Sequence, residues 1–289
     1  MKKIIRYGFL ITLLYLFPSL YAQPLLDLAQ VSYWSSPGEN HEPKKFNMMR
    51  VQASLPIVNK KDSSMFVINP IWEERWIQAT DGSRTVNLRG MITWLSYTRN
   101  LNRKWSLMIT AIPRWNGEPS VQFSEGFQMG GAFLFTRKVK PGLQLKAGMY
   151  YNRELFGNFF LPLAGIDWKI NDKMNLFGIL PGNMVFEHKI LRSVSWGGAF
   201  RTFTTSYSIV EGSLTGYDDF VRINDVQLGA YGDLYLTKKL VLNLEAGHTI
   251  LREISSAYKG QSGKNNLHII ADKDNFYFKA SLHYRLRFR

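Results

Sequence analysis

Hydrophobicity alternates with a period of two residues along almost the whole chain, and this pattern limits the fold more than any other feature. In the last segment, one parity carries Phe276, Phe278, Ala280, Leu282, Tyr284, Leu286 and Phe288, and the other carries Tyr277, Lys279, Ser281, His283, Arg285 and Arg287. Successive side chains of a strand point to opposite faces, whereas a helix would mix the two sets. Residues 275–288 are therefore predicted to form one two-faced strand, longer than the usual ~5 to 6 residues.

The same alternation recurs along the chain, and turn-forming residues punctuate it. Turn signals include "NKKDSS" at 59–64, "NLNRK" at 100–104, "KPG" at 140–142, "NDK" at 171–173 and "TKK" at 237–239. Gly, Pro, Asn and Asp supply the backbone angles of tight reversals. No amphipathic helix of three turns competes with the alternation, and no shift of composition divides the chain. We therefore predict one all-β domain.

Alternation alone does not show which face of the sheet contacts water. Three features favour a membrane barrel over a soluble one. Many strands are long enough for a tilted crossing, which needs ~9 to 11 residues. Aromatic residues bracket apolar faces, as interfacial girdles do; the predicted interface aromatics are Trp105, Trp115, Phe276, Tyr284 and Phe288. Short and long connections alternate. The sequence thus predicts a single transmembrane antiparallel up-and-down β-barrel.

The turn spacing predicts fourteen strands with both termini in the periplasm. They lie near 27–35, 45–57, 65–78, 85–99, 104–115, 126–138, 143–154, 160–171, 174–180, 183–189, 191–207, 220–237, 240–253 and 275–288. Residues 116–125, 154–159, 208–219 and 254–274 are the predicted external loops. The hairpin around 180–183 joins two strands that are barely long enough to cross the membrane. Twelve strands is the alternative if that hairpin folds inward or if the first segment is a plug or loose arm.

The N-terminus has the pattern of a secretory signal peptide. Basic residues among the first six positions precede an apolar run at 9–17, and small residues lead up to Ala22. The run is shorter than the ~20 apolar residues of a membrane-spanning helix. Residues 1–22 are therefore predicted to be a cleaved signal peptide, and 23–289 the barrel domain.

Charge and cysteine content limit the partners. The formal net charge is +14 and the chain has no cysteine. Export makes nucleic acid an improbable partner, which leaves anionic lipid head groups, small anions, or simple solvation of loops. Without cysteine there is no disulfide and no lipidated N-terminal cysteine.

The signal peptide, the strands to the chain end, and the terminal Tyr284, Leu286 and Phe288 resemble a Gram-negative outer-membrane β-barrel. The tail resembles the signal that the barrel-assembly machinery recognises, except that Arg289 follows the aromatic residue. The stretches at 167–190 and 244–253 are similar to barrels classed as domains of unknown function. The resemblance implies an outer-membrane location, with outer-membrane lipids including lipopolysaccharide and the assembly machinery as partners. It implies no activity and leaves the oligomeric state open.

Charged residues on the non-lipid parity are the candidate site. Arg or Lys facing lipid at mid-bilayer costs roughly 2 to 4 kcal/mol, so these side chains must face inward or lie at a rim. The predicted lumen-lining residues are Arg50, Gln52, Lys146, Glu245, Lys279, His283, Arg285 and Arg287. Two explanations remain open: the charges fill and cross-link a closed lumen, or they conduct or bind a solute.

Catalytic and metal sites find little support in the sequence. Lipid-acting barrel enzymes pair a His with a Ser or bind calcium near the outer rim. His188 has Ser193 and Ser195 nearby but falls at the predicted periplasmic end, and His248 falls on the apolar parity of its strand. The acidic group at 218, 219 and 225 lacks the spacing of an EF-hand. We therefore predict no catalytic residue, no metal and no cofactor.

The first functional hypothesis is a channel or small-solute uptake barrel with a charged lumen. The alternatives are an envelope enzyme that modifies lipids or glycolipids, and a plugged structural or interaction barrel.

Overall fold

The computed structural model describes residues 25–37, 45–59, 61–78, 85–211, 218–258 and 268–287. Within them lie the strands β1 Leu25–Pro37, β2 Lys45–Ala53, β3 Leu55–Val58, β4 Met65–Gln78, β5 Thr85–Asn100, β6 Trp105–Gly117, β7 Phe127–Lys140, β8 Leu143–Glu154, β9 Gly157–Lys169, β10 Met174–Leu180, β11 Asn183–Lys189, β12 Val194–Ser208, β13 Phe220–Tyr235, β14 Leu240–Ala257, β15 His268–Ala271 and β16 Phe276–Arg287, with one helical turn, α1, at Phe123–Gly126. The predicted signal peptide lies outside the described residues. No helix in the described part of the chain is long and apolar enough to cross a membrane.

The strands form one closed antiparallel ring. Each strand pairs with its neighbours in sequence, and β1 pairs with β16, which pairs with β14. Strands β2 and β3 both pair with β4 and count as one strand of the wall, whereas β15 pairs only with the end of β14. The wall therefore has 14 strands, which confirms the favoured count over twelve.

Alternate side chains separate an apolar outside from a polar inside. On β16, Phe276 is 63% exposed and Leu282 is 44% exposed, whereas Lys279 is 7% exposed. The same contrast runs around the barrel, where the exposed apolar side chains include Ile57, Ile109, Phe133, Leu145, Leu228 and Leu244. A continuous apolar belt of this kind is stable against lipid rather than water. The barrel is therefore of the transmembrane type.

The short turns at one end are stabilised by polar side chains that accept backbone hydrogen bonds. Asn102, Asn171 and Thr237 each accept from the N–H groups two and three residues further on, at 2.8 to 3.2 Å. Asp62 accepts from the backbone N–H of Ser64 at 3.0 Å, and this bond lowers the pKa of its carboxyl below the usual range. These local bonds explain why the turn signals in the sequence locate this end of the barrel so well.

The barrel wall is shorter at β10 and β11 than on either side. These two strands have 7 residues each, whereas β9 has 13 and β12 has 15. The last pairs that join this hairpin to its neighbours are Leu180 with Ala164 and Asn183 with Arg201. Seven tilted residues rise roughly 18 Å, short of the ~25 Å apolar band of such barrels. Within the described residues, 157–163 of β9 and 202–207 of β12 have no strand beside them on this side. We call this gap above the hairpin the lateral notch.

The outer ends of three strands, β12, β13 and β14, leave the wall and cross the interior, and β15 pairs with the end of β14. The pairing of β13 with β14 is irregular between Asn224 and Val226, opposite Leu251, whose φ of 63° is left-handed. Such a bulge bends a strand. Beyond it, β12 reaches the far wall, where Ser208 pairs with Gly117 of β6. Residues 204–208, 220–224 and 253–257, together with β15, form what we call the crossing sheet.

This crossing sheet corrects part of the predicted loop arrangement. The sequence predicts a loop over 254–274, but β14 continues to Ala257 and β15 follows it. One face of the crossing sheet is apolar and packs against the inner sides of β2, β4 and β5. This cluster contains Phe46, Ile77, Val86, Leu88, Tyr207, Ile209, Val221, Ile223, Ile254 and Ala271. A hydrophobic core thus occupies the outer end of the barrel, where a wide pore would hold water.

Candidate functional site

The predicted residues His283 and Arg285 point inward from β16 and contact acidic residues of β1 and β13. Arg285 Nε lies 2.6 Å from Asp27 Oδ1, and its Nη1 lies 2.5 Å from Asp233 Oδ2. His283 Nδ1 lies 2.7 Å from Asp27 Oδ2. Asp233 also accepts a hydrogen bond from Asn243 at 2.7 Å. These contacts tie the first, last and thirteenth strands together near the end where the chain termini lie.

A second group surrounds Glu245 on β14, which is 4% exposed. Its carboxylate accepts two hydrogen bonds from the guanidinium of Arg201 and one, at 2.7 Å, from the hydroxyl of Tyr277. Lys279 Nζ lies 3.6 Å from Glu245 Oε2 and 5.0 Å from the centre of the Trp34 ring. Two cations therefore share one buried carboxylate.

A third group links the wall to the crossing sheet. Arg50 Nη2 lies 2.6 Å from Glu73 Oε2, and Arg75 Nη2 lies 3.3 Å from Glu73 Oε1. Tyr207 of the crossing sheet donates its hydroxyl proton to the same carboxylate. The sequence analysis missed Glu73, Arg75 and Tyr207. Glu73 and Arg75 are two residues apart on β4 and therefore point to the same face. The alternation that identified Arg50 as an inward-facing residue could have identified them too.

The remaining predicted interior residues are also paired. Lys146 Nζ lies 2.6 Å from Asp167 Oδ2, and Gln52 donates to Gln30 at 3.0 Å. The side chain of Arg287 lies outside the described residues. The interior charges thus form ion pairs that cross-link the wall, and their role in selecting a solute stays a prediction.

The polar face of the crossing sheet is held against β6, β7 and β8. Ser206 donates from its backbone N–H and its hydroxyl to Glu154 Oε2, at 3.1 and 2.6 Å. Glu154 is ion-paired with Arg114. The side-chain amides of Asn116 and Gln128 donate to the backbone oxygen of Ser206 at 3.2 and 3.0 Å. We call these contacts the polar seal, because they close the interior on the side opposite the apolar core.

The lateral notch lies beside the polar seal and holds a cation of its own. Arg222 projects from the polar face of β13 and is partly exposed. Its Nη2 and Nε donate to the amide oxygen of Asn224 at 2.8 and 3.1 Å, with that amide oriented so that its nitrogen donates to Thr204. The Arg222 guanidinium carbon lies 4.8 Å from the centre of the Phe156 ring. No carboxylate among the described residues forms an ion pair with Arg222.

Aromatic side chains continue from this cation along the inner surface of β8 and β9. The rings of Phe156 and Phe159 meet edge to face at 6.1 Å, and those of Phe159 and Tyr150 do so at 6.5 Å. All three side chains are partly exposed. An accessible apolar surface therefore adjoins Arg222.

The predicted interface aromatics divide into two groups. Trp105 is 39% exposed and Tyr284 is 40% exposed, and each ring lies under a cation, Arg137 at 5.6 Å and Lys239 at 5.7 Å respectively. Phe276 also faces outward, and Phe288 lies outside the described residues.

Trp115 differs from the expectation of an interfacial ring because it is only 6% exposed. Its indole lies against Gly117 and Gly126, so the segment that carries α1 folds over it. The connection between β6 and β7, which the sequence assigns to an external loop, thus buries the ring.

The two histidines weighed as catalytic candidates, His188 and His248, contact a tryptophan and a backbone oxygen in the described residues. His188 Nδ1 accepts a hydrogen bond from the outward-facing Trp196 at 3.1 Å, whereas Ser195 faces inward. His248 Nδ1 lies 2.6 Å from the backbone oxygen of Thr249, and its ring meets Phe276 edge to face. His41 lies outside the described residues.

Metal ligands are likewise dispersed in the part of the chain that the structure describes. No three His, Asp or Glu side chains there are grouped to hold a metal ion. Asp225, one of the acidic residues considered for calcium, instead contacts Arg252 at 3.2 Å and Gln227 at 3.1 Å.

Several solved barrels resemble this chain in architecture. A FadL homologue of Pseudomonas aeruginosa has a TM-score of 0.46 and 11% identity, over 92% of each chain. The NanC porin has a TM-score of 0.42 and 7% identity, over 89% of this chain and 100% of its own. The outer membrane phospholipase of Salmonella typhi has a TM-score of 0.41 and 8% identity, over 89% and 90%. Likeness at this level carries no information about substrate or activity.

No curated protein matches the chain. A family model does match it, and the matched part runs from residue 86 in β5 to residue 289, which is more than half of the sequence. The chain therefore belongs to the family described as Domain of unknown function (DUF6268).

Proposed function

We propose that this protein is a gated uptake barrel for small solutes in the outer membrane of a Gram-negative cell. The observation that carries the proposal is the crossing sheet, which closes a polar interior and is a continuation of the wall strands. A gate at this position needs a polar interior beneath it, because a solute released past the crossing sheet must meet side chains that replace its water.

The two faces of the crossing sheet differ in strength, and this difference indicates where the gate opens. On the apolar face, Val221 and Tyr207 are 0% exposed and Ile223 is 1% exposed. Burial of each such side chain contributes about 1.5 to 3 kcal/mol. On the polar face, the two bonds from Ser206 to the charged Glu154 contribute about 1.5 to 3 kcal/mol each and the two neutral bonds to its backbone oxygen about 1 kcal/mol each. This total is smaller than that of the several buried apolar side chains on the other face. The polar seal is therefore the weaker attachment, and opening there needs no loss of the apolar core.

The accessible charges of the interior indicate a preference for anions. The side chain of Arg50 is 28% exposed and that of Arg201 is 21% exposed, whereas their partners Glu73 and Glu245 are almost completely buried. A solute that passes these groups meets cations before carboxylates. Replacing both arginines with Gln is expected to reduce the anion preference.

A reversible crosslink tests the gate. Ser208 and Gly117 are paired across the interior and the chain has no cysteine of its own, so the variant Gly117→Cys with Ser208→Cys carries only the engineered pair. Flux of small anions and neutral sugars is measured in liposomes. We expect the oxidised variant to lose the flux of the wild type and the reduced variant to recover it. The single variant Ser208→Cys is the matched control and is expected to be insensitive to oxidation.

Two outcomes would contradict the proposal. Absence of flux from wild type, from the reduced variant and from variants of the polar seal would indicate a permanently plugged structural barrel. Flux that continues unchanged in a fully oxidised crosslink would mean that solutes do not pass the crossing sheet.

A further inference from the structure

The barrel wall is incomplete at the lateral notch, and an incomplete wall is costly in a membrane. Residues 157–163 of β9 have no strand on the side of the β10–β11 hairpin in the described chain. The facing edge of β12 is bonded instead, at Thr202 to the backbone oxygen of Gly182 and at Ser206 to the polar seal. Each unsatisfied backbone group in contact with hydrocarbon costs several kcal/mol, so open strand edges do not face lipid tails. The edge of β9 that no described strand covers is therefore suited to water or to a ligand with polar groups.

The height of the notch places it at the outer leaflet. The hairpin ends roughly 18 Å above the short turns, and the apolar band of such barrels is ~25 Å tall. The lower part of the gap thus opens towards lipid tails, and its upper part opens towards head groups. A molecule that enters here from the outer leaflet presents its chain below and its polar end above.

The groups at the notch match the two ends of such a molecule. Arg222 uses two of its five N–H donors on Asn224, and no carboxylate among the described residues neutralises it. A planar guanidinium with free donors suits a carboxylate or phosphate. Phe156, Phe159 and Tyr150 supply an accessible apolar surface beside it.

We propose that the lateral notch binds a single-chain amphiphile with an anionic head group that enters from the outer leaflet. Arg222 binds the head group, and Phe156 and Phe159 contact the chain. The proposal names the substrate class of the uptake barrel and in that respect rests on the proposed function.

The width at the base of the notch excludes amphiphiles with many chains. At its base, where the two strands of the hairpin lie between β9 and β12, the notch is ~14 Å wide between their backbones. After the thickness of the backbones is subtracted, the gap admits one or two hydrocarbon chains. Lipopolysaccharide, with its several chains, is too wide to enter.

The test uses a 12-carbon carboxylate that carries a photoreactive diazirine on its chain, added to the full-length barrel in lipid nanodiscs. Labelled peptides are identified by mass spectrometry, and labelling against concentration gives the apparent affinity. We expect labelling on β8 and β9, competition by dodecanoate, and no competition by dodecyltrimethylammonium.

Matched variants locate the site. Arg222→Gln is expected to weaken binding about tenfold or more, since it removes a charge-assisted hydrogen bond. Arg222→Lys is expected to retain part of the affinity, and Arg153→Gln, which removes an exposed cation of β8, to have no effect. Phe159→Ala is expected to weaken binding, whereas Phe160→Ala, whose ring is 61% exposed on the outside, is not. Slower electrophoretic migration after heating verifies that each variant is folded.

Three results would overturn the site: equal affinity of wild type and folded Arg222→Gln, equal effects of Phe159→Ala and Phe160→Ala, or equal competition by a two-chain anionic phospholipid, which would identify membrane lipid as the occupant. Labelling that follows these expectations without any flux into liposomes would reject the proposed uptake function and leave the binding site in place.

Discussion

Replacing Glu245 with Gln tests whether the interior charges hold the barrel together. Glu245 accepts hydrogen bonds from Arg201 and Tyr277 and lies 3.6 Å from Lys279. Glutamine keeps nearly the same size but has no charge. Both cations then lose the one carboxylate that compensates them and repel each other in a poorly solvated interior.

The expected loss of stability follows from the burial of these groups. Removing one partner of a buried ion pair costs about 3 to 5 kcal/mol, because the other charge is left uncompensated. The Arg201 side chain is 21% exposed, so water screens part of its charge, and the lower end of that range applies. We expect the free energy of unfolding to fall by about 3 kcal/mol, a large share of the ~5 to 15 kcal/mol of an ordinary domain.

A second substitution should restore part of the loss. Lys279→Met removes one of the two cations and keeps a flexible chain over the Trp34 ring. Urea unfolding in liposomes, followed by the heat-dependent shift in electrophoretic mobility, gives the stability of wild type, of both single variants and of the double variant. We expect the double variant to regain at least half of the loss caused by Glu245→Gln, as in a double-mutant cycle between residues in contact.

Two results would refute this reasoning. A loss below about 1 kcal/mol for Glu245→Gln would place the pair among weak solvated ion pairs. A double variant less stable than Glu245→Gln would mean that Lys279 stabilises the barrel by contacts other than the carboxylate. Glu125→Gln, an exposed change on α1, is the control and should have no effect.

Three further predictions concern the wall and the polar seal. Leu244→Arg, at a lipid-facing position that is 56% exposed, should lower stability by about 2 to 4 kcal/mol, measured by the same unfolding assay. Gly197→Ala should prevent the closure of β11 on β12, because a Cβ there would collide with the backbone oxygen of Phe186; loss of the heat-dependent mobility shift is the expected result, and a folded barrel would contradict it. Glu154→Gln should raise ion leakage in planar bilayers by weakening the contact with Ser206, whereas Glu125→Gln should not; equal leakage would argue against the polar seal.

The architecture could be predicted because a barrel repeats one local rule. Side chains alternate in every strand, and the turns at one end are made by residues such as Asn102 and Asn171, whose side chains bond their own backbone. Both signals are local in sequence, so the strand positions, the strand number and the parity of residues such as Lys279 follow from them without knowledge of tertiary contacts.

The crossing sheet could not be predicted, because its strands show the same alternation of apolar and polar residues as the strands of the wall. Val221 and Ile223 alternate with Arg222 and Asn224 as wall residues would, and nothing in the pattern changes where β13 leaves the wall. The bend depends on a bulge opposite Leu251 that only the pairing of two strands creates. The burial of Trp115 under α1 was missed for the same reason.

Ion-pair partners also escaped the sequence analysis. Arg201 on β12 and Glu245 on β14 are separated by β13, so their contact depends on the curvature of the wall rather than on neighbouring strands. Parity shows that each side chain faces inward, but it does not show which of the inward side chains meet.

The continuity of the crossing sheet with the wall limits how far the barrel can open. A separate plug domain can leave its barrel as a unit, but residues 204–208 and 220–224 are covalent extensions of β12 and β13. In the proposed gate they would move by rotation about the bulge between Asn224 and Val226, with the Ser206 end as the moving tip. In the proposed uptake barrel, such a hinge would widen one side of the interior by a few side chains at most. A passage of that size would sort molecules by their narrowest dimension, so we expect long thin molecules to pass where compact ones of equal mass do not.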